Sequence, residues 1–381
     1  MTHDLGWGPG GQGGPAGPPP GWGPGGPPPM WGPGWGGGWT PPPPKPGVIP
    51  LGPLALGDVL GGSFSALGRH WKQLFGVALI AYGVAALVFG GVVAIAVAAV
   101  HDHVDPVFEA HYGTWHVARS DVDPVIIAGA VVLVVAMALW LVATALMYAV
   151  APAVLQDAVL GRRSPFGAVW RKAWSRFPAV LGTLAAQWGV VLAATLLFVA
   201  LMVAGLLAGS AHRELPVLLM VGFTLSTLAL TPVGIWLWVR FAFAPAAAVL
   251  ENQGPVEALR RSSRLVKGAW WRTFGILALV AVISGVIGYF VQLPFTYGGL
   301  FAAMPLAMSS HSAGAAVGAV VVLVVLYLVG TVISQFLTTT LPQLGAGLLY
   351  IDQRIRREEL APGLARAAGV PPAAAAPAGS W

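Results

Sequence analysis

Long apolar segments alternate with short basic segments from about residue 50 to residue 360 of the chain. Each apolar segment lacks Asp, Glu, Lys and Arg and is about 20 residues long or longer, enough to cross a bilayer as a helix. Only helices and closed barrels satisfy their backbone polar groups within lipid. The pattern therefore predicts an all-α membrane protein with six transmembrane helices, at about residues 75–100, 124–154, 179–209, 215–238, 273–292 and 313–336.

A basic amphipathic segment precedes each odd-numbered predicted span. Apolar side chains recur at spacings of three and four residues in each segment, as expected for a helix that lies along a membrane surface. Each of these spans begins with a glycine, and the even-numbered spans end in similar proline-containing sequences. These shared positions predict three helical-hairpin repeats, each preceded by an interfacial helix. The aligned residues are Gly76, Gly182 and Gly275, and then Ala151-Pro152-Ala153, Ala244-Pro245-Ala246 and Pro342.

The remaining segments do not fit the span pattern. Residues 1–50 are rich in Gly, Pro and Trp, and residues 361–381 are rich in Ala and Pro, so both are predicted to be disordered tails of a membrane domain at 51–360. Residues 293–312 contain two prolines and predict an outer loop or a re-entrant segment. Residues 344–357 predict a last interfacial helix.

Composition and charge support a location in the cell membrane. The chain is 56% hydrophobic and 9% charged, far below the roughly 25% charged residues of soluble domains. Of the 20 basic residues, 18 lie in the loops after spans two and four or beside the termini, which predicts that both termini are cytoplasmic. The basic residues lie beside apolar runs, so no nucleic-acid partner is predicted, and the absence of Cys excludes disulfides.

The stretch from Pro255 into the fifth span shows the basic pattern most clearly. Proline suits the first turn of a helix, and Val256, Leu259, Val266 and Trp270 then fall on one face. Cations on another face predict contact with anionic headgroups, although a connector that only sets topology explains them as well. The candidate lipid contacts are Arg260, Arg261, Arg264, Lys267, Trp270 and Trp271, with Arg162, Arg163, Arg171 and Lys172 in the preceding connector.

Candidate chemistry is sparse elsewhere. The loop 101–123 contains His and Asp residues that could bind zinc, but a solvated acidic loop explains them equally, so no metal and no cofactor are predicted. Proton-driven transport normally requires ionisable residues within spans, and the predicted spans contain none. The leading interpretation is a non-catalytic scaffold or accessory protein associated with anionic lipids or membrane partners. A lipid or neutral-solute transporter and a subunit of a lipid-metabolising membrane enzyme are the alternatives.

Two stretches resemble a family of actinobacterial integral membrane proteins: PLGPLALGDVLGGSF at 50–64 and VLENQGPVEALRRSSRLVKGAWWRTFGI at 249–276. That family is similar to the membrane domain found beside glycerophosphodiester phosphodiesterases. The resemblance covers about residues 48–360 and implies six spans without an established activity. The catalytic domain of those phosphodiesterases is absent, and no enzymatic activity is predicted.

Overall fold

The fold was described from a computed structural model of the chain, which describes residues 45–109, 119–163, 165–207, 215–308 and 313–369. All regular secondary structure in these ranges is helical. The helices are α1 (Leu56–Arg69), α2 (Trp71–Glu109), α3 (Arg119–Val159), α4 (Phe166–Leu207), α5 (Leu215–Phe241), α6 (Ala244–Leu250), α7 (Pro255–Val266), α8 (Trp270–Met308), α9 (Ala313–Glu358) and α10 (Leu360–Ala367).

Within the described ranges, five apolar stretches, one of them running from α5 into α6, are long enough to cross a membrane, and α4 supplies a sixth if its two parts count as one. The axis of α4 bends by 56° between Gly189 and Ala193. Helices adjacent in sequence pack as pairs, α2 with α3, α4 with α5 and α8 with α9. Helix α3 also contacts α4 and α9, which places α3 and α9 at the centre of the bundle. The prediction of an all-α protein with long apolar helices is confirmed.

Helix α8 is longer than predicted. It continues to Met308, through the segment expected to be an outer loop or re-entrant piece. The helix persists because its outer half packs closely on α9: a Cβ at Gly330 would lie 2.5 Å from the Cβ of Phe295, so only glycine allows this approach. Tertiary packing thus outweighs the local effect of Pro294 and Pro305. The predicted loop 101–123 is also shorter, because α2 extends to Glu109.

The predicted interfacial helix at 344–357 is instead the last part of α9, which passes through Pro342 without a break. Leu344, Leu348 and Tyr350 are fully buried there. Helices α1, α3, α6 and α7 surround this part of α9. Its apolar side chains therefore face protein rather than the membrane surface, which is why amphipathicity alone misplaced it. We call this side of the bundle, with α1, α7 and the end of α9, the basic end.

The described part of the first predicted tail is ordered. Residues 45–55 form a non-helical strap against the end of α3, where the Val48 amide donates to the Ala158 carbonyl at 3.2 Å. Val48 and Ile49 are 1% and 0% exposed. A Cβ at Gly47 would lie 2.2 Å from the same carbonyl, so glycine is required at this crossing. The tail predicted for residues 1–50 is wrong for 45–50, and residues 1–44 lie outside the described residues.

The predicted C-terminal tail also begins too early. Residues 360–367 form α10, whose Leu360 and Leu364 pack against the core at the basic end. Glu359 has a φ of 50°, and this left-handed residue turns the chain out of α9 and into α10. Residues 370–381 lie outside the described residues.

Candidate functional site

A basic cavity of about 430 Å³ lies at the basic end, between the α1–α2 junction and the turn that follows α3. We use the name basic cavity for this space throughout. It is lined by Arg69, His70, Gln73, Ala158, Gly161, Arg162 and Arg163.

The first wall is the junction between two helices. Helix α1 ends at Arg69, and His70 connects it to α2: the His70 amide donates to the Ala66 carbonyl, and the His70 carbonyl accepts from the Leu74 amide, both at 3.1 Å. The cavity therefore lies beside the first turn of α2, whose amide groups carry a partial positive charge. No acidic side chain occupies that first turn.

The second wall is the turn after α3. Gly161 adopts a φ of 70°, and a Cβ there would lie 2.5 Å from the Pro46 carbonyl of the strap. The Arg162 amide donates to the Asp157 carbonyl at 2.9 Å, which fixes the turn. The Arg162 guanidinium donates to the Ala367 carbonyl at 2.9 Å and so also holds α10. The strap and α10 thus position the two turn arginines beside the α1–α2 junction.

The cavity is suited to an anion. Three of its lining side chains are arginines, and none is a carboxylate. His70 is only 5% exposed, and its Nδ1 has no hydrogen-bond partner within the described part of the chain. Buried polar atoms are nearly always paired, so the unpaired Nδ1 leaves the imidazole beside the arginines able to take one more hydrogen bond. A phosphate would supply the acceptor oxygens that arginines recognise best.

A second charged group at the basic end is structural. The Asp352 carboxylate on α9 is fully buried and accepts from the Leu54 amide at 2.8 Å. Arg356 Nε and Arg272 Nη1 donate to its two oxygens at 2.8 and 2.6 Å. Both guanidinium groups also donate to the Leu54 carbonyl, at 3.1 and 2.9 Å. This cluster ties the strap to α8 and α9.

A third group joins α6, α7 and α9. Arg261 pairs with Glu251 at 3.0 Å and with Glu358 at 2.6 Å. Arg354 contacts the same two carboxylates at 3.4 and 2.9 Å, and the Tyr350 hydroxyl donates to Glu251. Burial lowers the pKa of Arg261, but the bonds to Glu358 and Glu251 outweigh it and raise that pKa. Arg261 is therefore a structural cation rather than a free one.

The predicted basic helix exists as α7, with Pro255 in its first turn as expected. Two residues of its predicted apolar face differ in burial: Val256 is 52% exposed, and Val266 is 2% exposed. The side that packs against protein includes Ser262, whose hydroxyl donates to the Arg240 carbonyl at 2.9 Å and accepts from the Phe243 amide at 3.2 Å. These bonds satisfy backbone groups at the break between α5 and α6. Helix α7 is thus packed into the bundle, because the small side chain of Ser262 fits against the break between α5 and α6.

The predicted lipid contacts divide between two places. On α7 and the start of α8, exposed side chains form an external patch that consists of Arg260, Arg264, Lys267 and Trp271. Trp270 is half-buried and stacks on Phe274, with 5.3 Å between ring centroids. In the earlier connector, Arg171 is exposed, Lys172 donates to Gln156, and Arg162 and Arg163 line the basic cavity. Contact of any of them with lipid stays a prediction.

Sequence reasoning missed half of the cavity. Neither Arg69 nor His70 was predicted to belong to a site, although a histidine at a junction between two helices is a polar group that needs a partner. Their closeness to Arg162 depends on how the strap packs, and the sequence of the strap has no periodic pattern of apolar residues from which that packing could be predicted. The histidines that were considered as possible zinc ligands lie in α2 or at 110–118. The side chains of residues 101–122 are not described, so the structure does not test that possibility.

One family model matches residues 114–341, more than half of the chain, and its description is Domain of unknown function (DUF7847). The chain belongs to this family. The DUF7847 region includes the turn with Arg162 and Arg163 and ends just before Pro342. The strap, α1 and the buried end of α9 lie outside it, so the basic cavity combines one wall inside the DUF7847 region with one wall before it. No curated protein and no solved structure matches the chain.

Proposed function

We propose that this protein is a non-catalytic, multi-pass cell-membrane protein that binds the phosphate of an anionic lipid in the basic cavity. The observation that carries the proposal is a cavity lined by three arginines and the buried His70, with no carboxylate among its lining side chains. The protein then acts as a scaffold or accessory protein whose basic end is fixed by lipid.

The expected binding strength follows from the charges. Each Lys or Arg near an anionic leaflet contributes about 1 kcal/mol. The arginines of the basic cavity are exposed enough for water and salt to screen part of this attraction. Loss of all three should therefore weaken lipid binding by at least about tenfold, the ratio that corresponds to 1.4 kcal/mol.

The proposal includes six spans arranged as three hairpins, with both termini in the cytoplasm. Contacts of the aligned glycines support the repeat: a Cβ at Gly76 would lie 3.1 Å from the ring of Phe166, which begins α4. A Cβ at Gly182 would lie 2.9 Å from the ring of Pro255, which begins α7. In the first two hairpins, the glycine thus lies against the first residue of the basic helix that leads into the next hairpin. No such contact within 4 Å occurs at Gly275.

Lipid binding is tested with two variants of equal charge change. The cavity variant carries Arg69→Gln, Arg162→Gln and Arg163→Gln, and the patch variant carries Arg260→Gln, Arg264→Gln and Lys267→Gln. Native mass spectrometry of protein from native-lipid discs should show anionic phospholipid on wild type and on the patch variant, and at least about tenfold less on the cavity variant. Inorganic phosphate added to wild type should not displace the lipid.

Equal retention by both variants contradicts the proposed site. Loss in the patch variant alone assigns lipid binding to α7 instead. Displacement of the lipid by inorganic phosphate would indicate a soluble anion as the ligand. Orientation is tested separately with single cysteines at Ser120 and Arg260, since the chain has no native cysteine; an impermeant thiol reagent on intact cells should label only the first.

A further inference from the structure

A row of three adjacent cavities runs between α4 and α5 into the centre of the bundle. The outer cavity is about 360 Å³, the middle about 40 Å³ and the inner about 180 Å³. Trp188, Leu230 and Gly234 line both the outer and the middle cavity. Gln187 and Trp238 line both the middle and the inner cavity. Because neighbouring cavities share these side chains, the three lie in a row, which we call the path, separate from the basic cavity.

The outer cavity opens on an apolar surface. Leu230 and Ile235 in its wall are 41% and 39% exposed, on helices of the length and composition that cross a membrane. The hydroxyl of Thr231, also in the wall, donates to the Thr227 carbonyl of its own helix at 2.8 Å and so leaves the cavity mainly hydrocarbon-like. In a bilayer this opening faces acyl chains.

The inner cavity is lined by apolar and uncharged polar side chains. Tyr148, Gln187, Thr338 and Gln343 contribute polar side chains, and no Asp, Glu, Lys, Arg or His lines any of the three cavities. Gln187 is 6% exposed, and the one hydrogen bond that the described structure gives its amide, to the Trp238 carbonyl, is long at 3.5 Å. That amide can therefore donate to and accept from a ligand. The inner volume holds far more than a single water.

Helix geometry explains why this path is open. Helix α4 bends by 56° just after Gly189, and α5 contains Pro232, which removes one backbone hydrogen bond. Between them, a Cβ added at Gly234 would meet nothing within 4 Å, so the glycine leaves the middle cavity unfilled. The bend in α4 and the missing side chain at Gly234 account for the open space between these two helices.

We propose that this path binds a membrane amphiphile with an uncharged, hydroxyl-bearing head, of the diacylglycerol class. Its acyl chain lies in the outer cavity, and its head reaches the inner cavity and bonds to the amides of Gln187 and Gln343. A charged head is disfavoured, because no side chain in the path could pair with it in a low-dielectric site. The direction of access is lateral, from the bilayer between α4 and α5.

The test uses a diacylglycerol with a diazirine in one acyl chain, added to wild-type protein in discs of zwitterionic lipid. After illumination, labelled peptides from wild type should include Trp188 or Trp238. Gly234→Leu fills the middle cavity and should reduce this labelling by at least about tenfold. Gly222→Leu is the matched control on α5, also with no neighbour within 4 Å of its Cβ, and should retain the labelling.

A second variant and a second probe test the head. Gln187→Leu with Gln343→Leu should reduce labelling by the diacylglycerol at least about tenfold but leave unchanged any labelling by a diazirine alkane that lacks a head. Undiminished labelling of Gly234→Leu would overturn the proposal. Equal labelling by a phosphatidic acid probe would also overturn it, because the path would then not distinguish neutral from charged heads.

Discussion

The cluster around Asp352 supplies the sharpest stability prediction. Asparagine at this position has nearly the same shape but can present only one oxygen. In the native structure one carboxylate oxygen accepts from Leu54 N and Arg356 Nε, and the other accepts from Arg272 Nη1. Whichever way the amide of Asp352→Asn turns, one side places donor against donor, and both arginines lose their shared counter-charge.

The magnitude follows from burial. Removing one partner of a fully buried ion pair costs about 3–5 kcal/mol. The carboxylate is fully buried, but the side chains of Arg272 and Arg356 are 34% and 39% exposed and can recover some hydration. Discounting for this screening, we expect Asp352→Asn to lower the free energy of unfolding by about 2–4 kcal/mol. The strap should also loosen in this variant, because the Leu54 amide and carbonyl bond to Asp352 and to the two arginines.

Tryptophan fluorescence during unfolding in mixed detergent micelles measures this change in free energy. Glu257→Gln is the matched control, since this carboxylate on α7 is exposed, and it should alter the free energy by less than about 0.5 kcal/mol. Limited proteolysis by thermolysin before Val48, which is 1% exposed in the packed strap, reports the strap. A change below about 0.5 kcal/mol for Asp352→Asn, with unchanged cleavage, would refute the structural role of the cluster.

Three further changes test the packing of the basic end in the same unfolding assay. Ser262→Ala should cost about 1–3 kcal/mol, because it leaves the Arg240 carbonyl and Phe243 amide unpaired; Ser263→Ala should cost much less, and equal costs would contradict the assigned bonds. Gly161→Ala should cost about 1–3 kcal/mol, since it strains a φ of 70° and meets the Pro46 carbonyl; a neutral result would argue against the crossing of the strap. Gly61→Ala, in α1 with open space around its Cβ, should stabilise by about 0.5–1 kcal/mol, and destabilisation would indicate a hidden contact.

The sequence predicted the long apolar helices well, because hydropathy over a span reports directly on burial in lipid or protein. It predicted their ends poorly. Pro294 and Pro342 signal breaks locally, yet both lie inside continuous helices, since close contact with neighbouring helices compensates for one lost hydrogen bond. The strap was missed because its burial depends on glycine crossings such as Gly47, which have no periodic pattern.

The candidate site was half predicted for a similar reason. Charge clustering identified Arg162 and Arg163, but it also selected Arg261, which pairs with Glu251 and Glu358 from other helices. Helical periodicity groups residues on one helix, and it contains no information on which distant carboxylate will meet them. A cluster of basic residues in the sequence therefore predicts an interface. Only the packed structure shows which of its cations form ion pairs with other helices and which line a cavity or face outwards.

The proposed function requires that a lipid phosphate contacts the basic cavity. Phosphorus–nitrogen dipolar recoupling by solid-state NMR tests it most directly, on protein labelled with ¹⁵N-histidine in bilayers that contain an anionic phospholipid. A hydrogen bond from phosphate to His70 places the two nuclei within about 4 Å. We expect a dephased histidine signal that is absent from His70→Asn and from the Arg69→Gln, Arg162→Gln, Arg163→Gln variant. No phosphorus-dependent dephasing in wild type, or a signal that persists in His70→Asn, would contradict it.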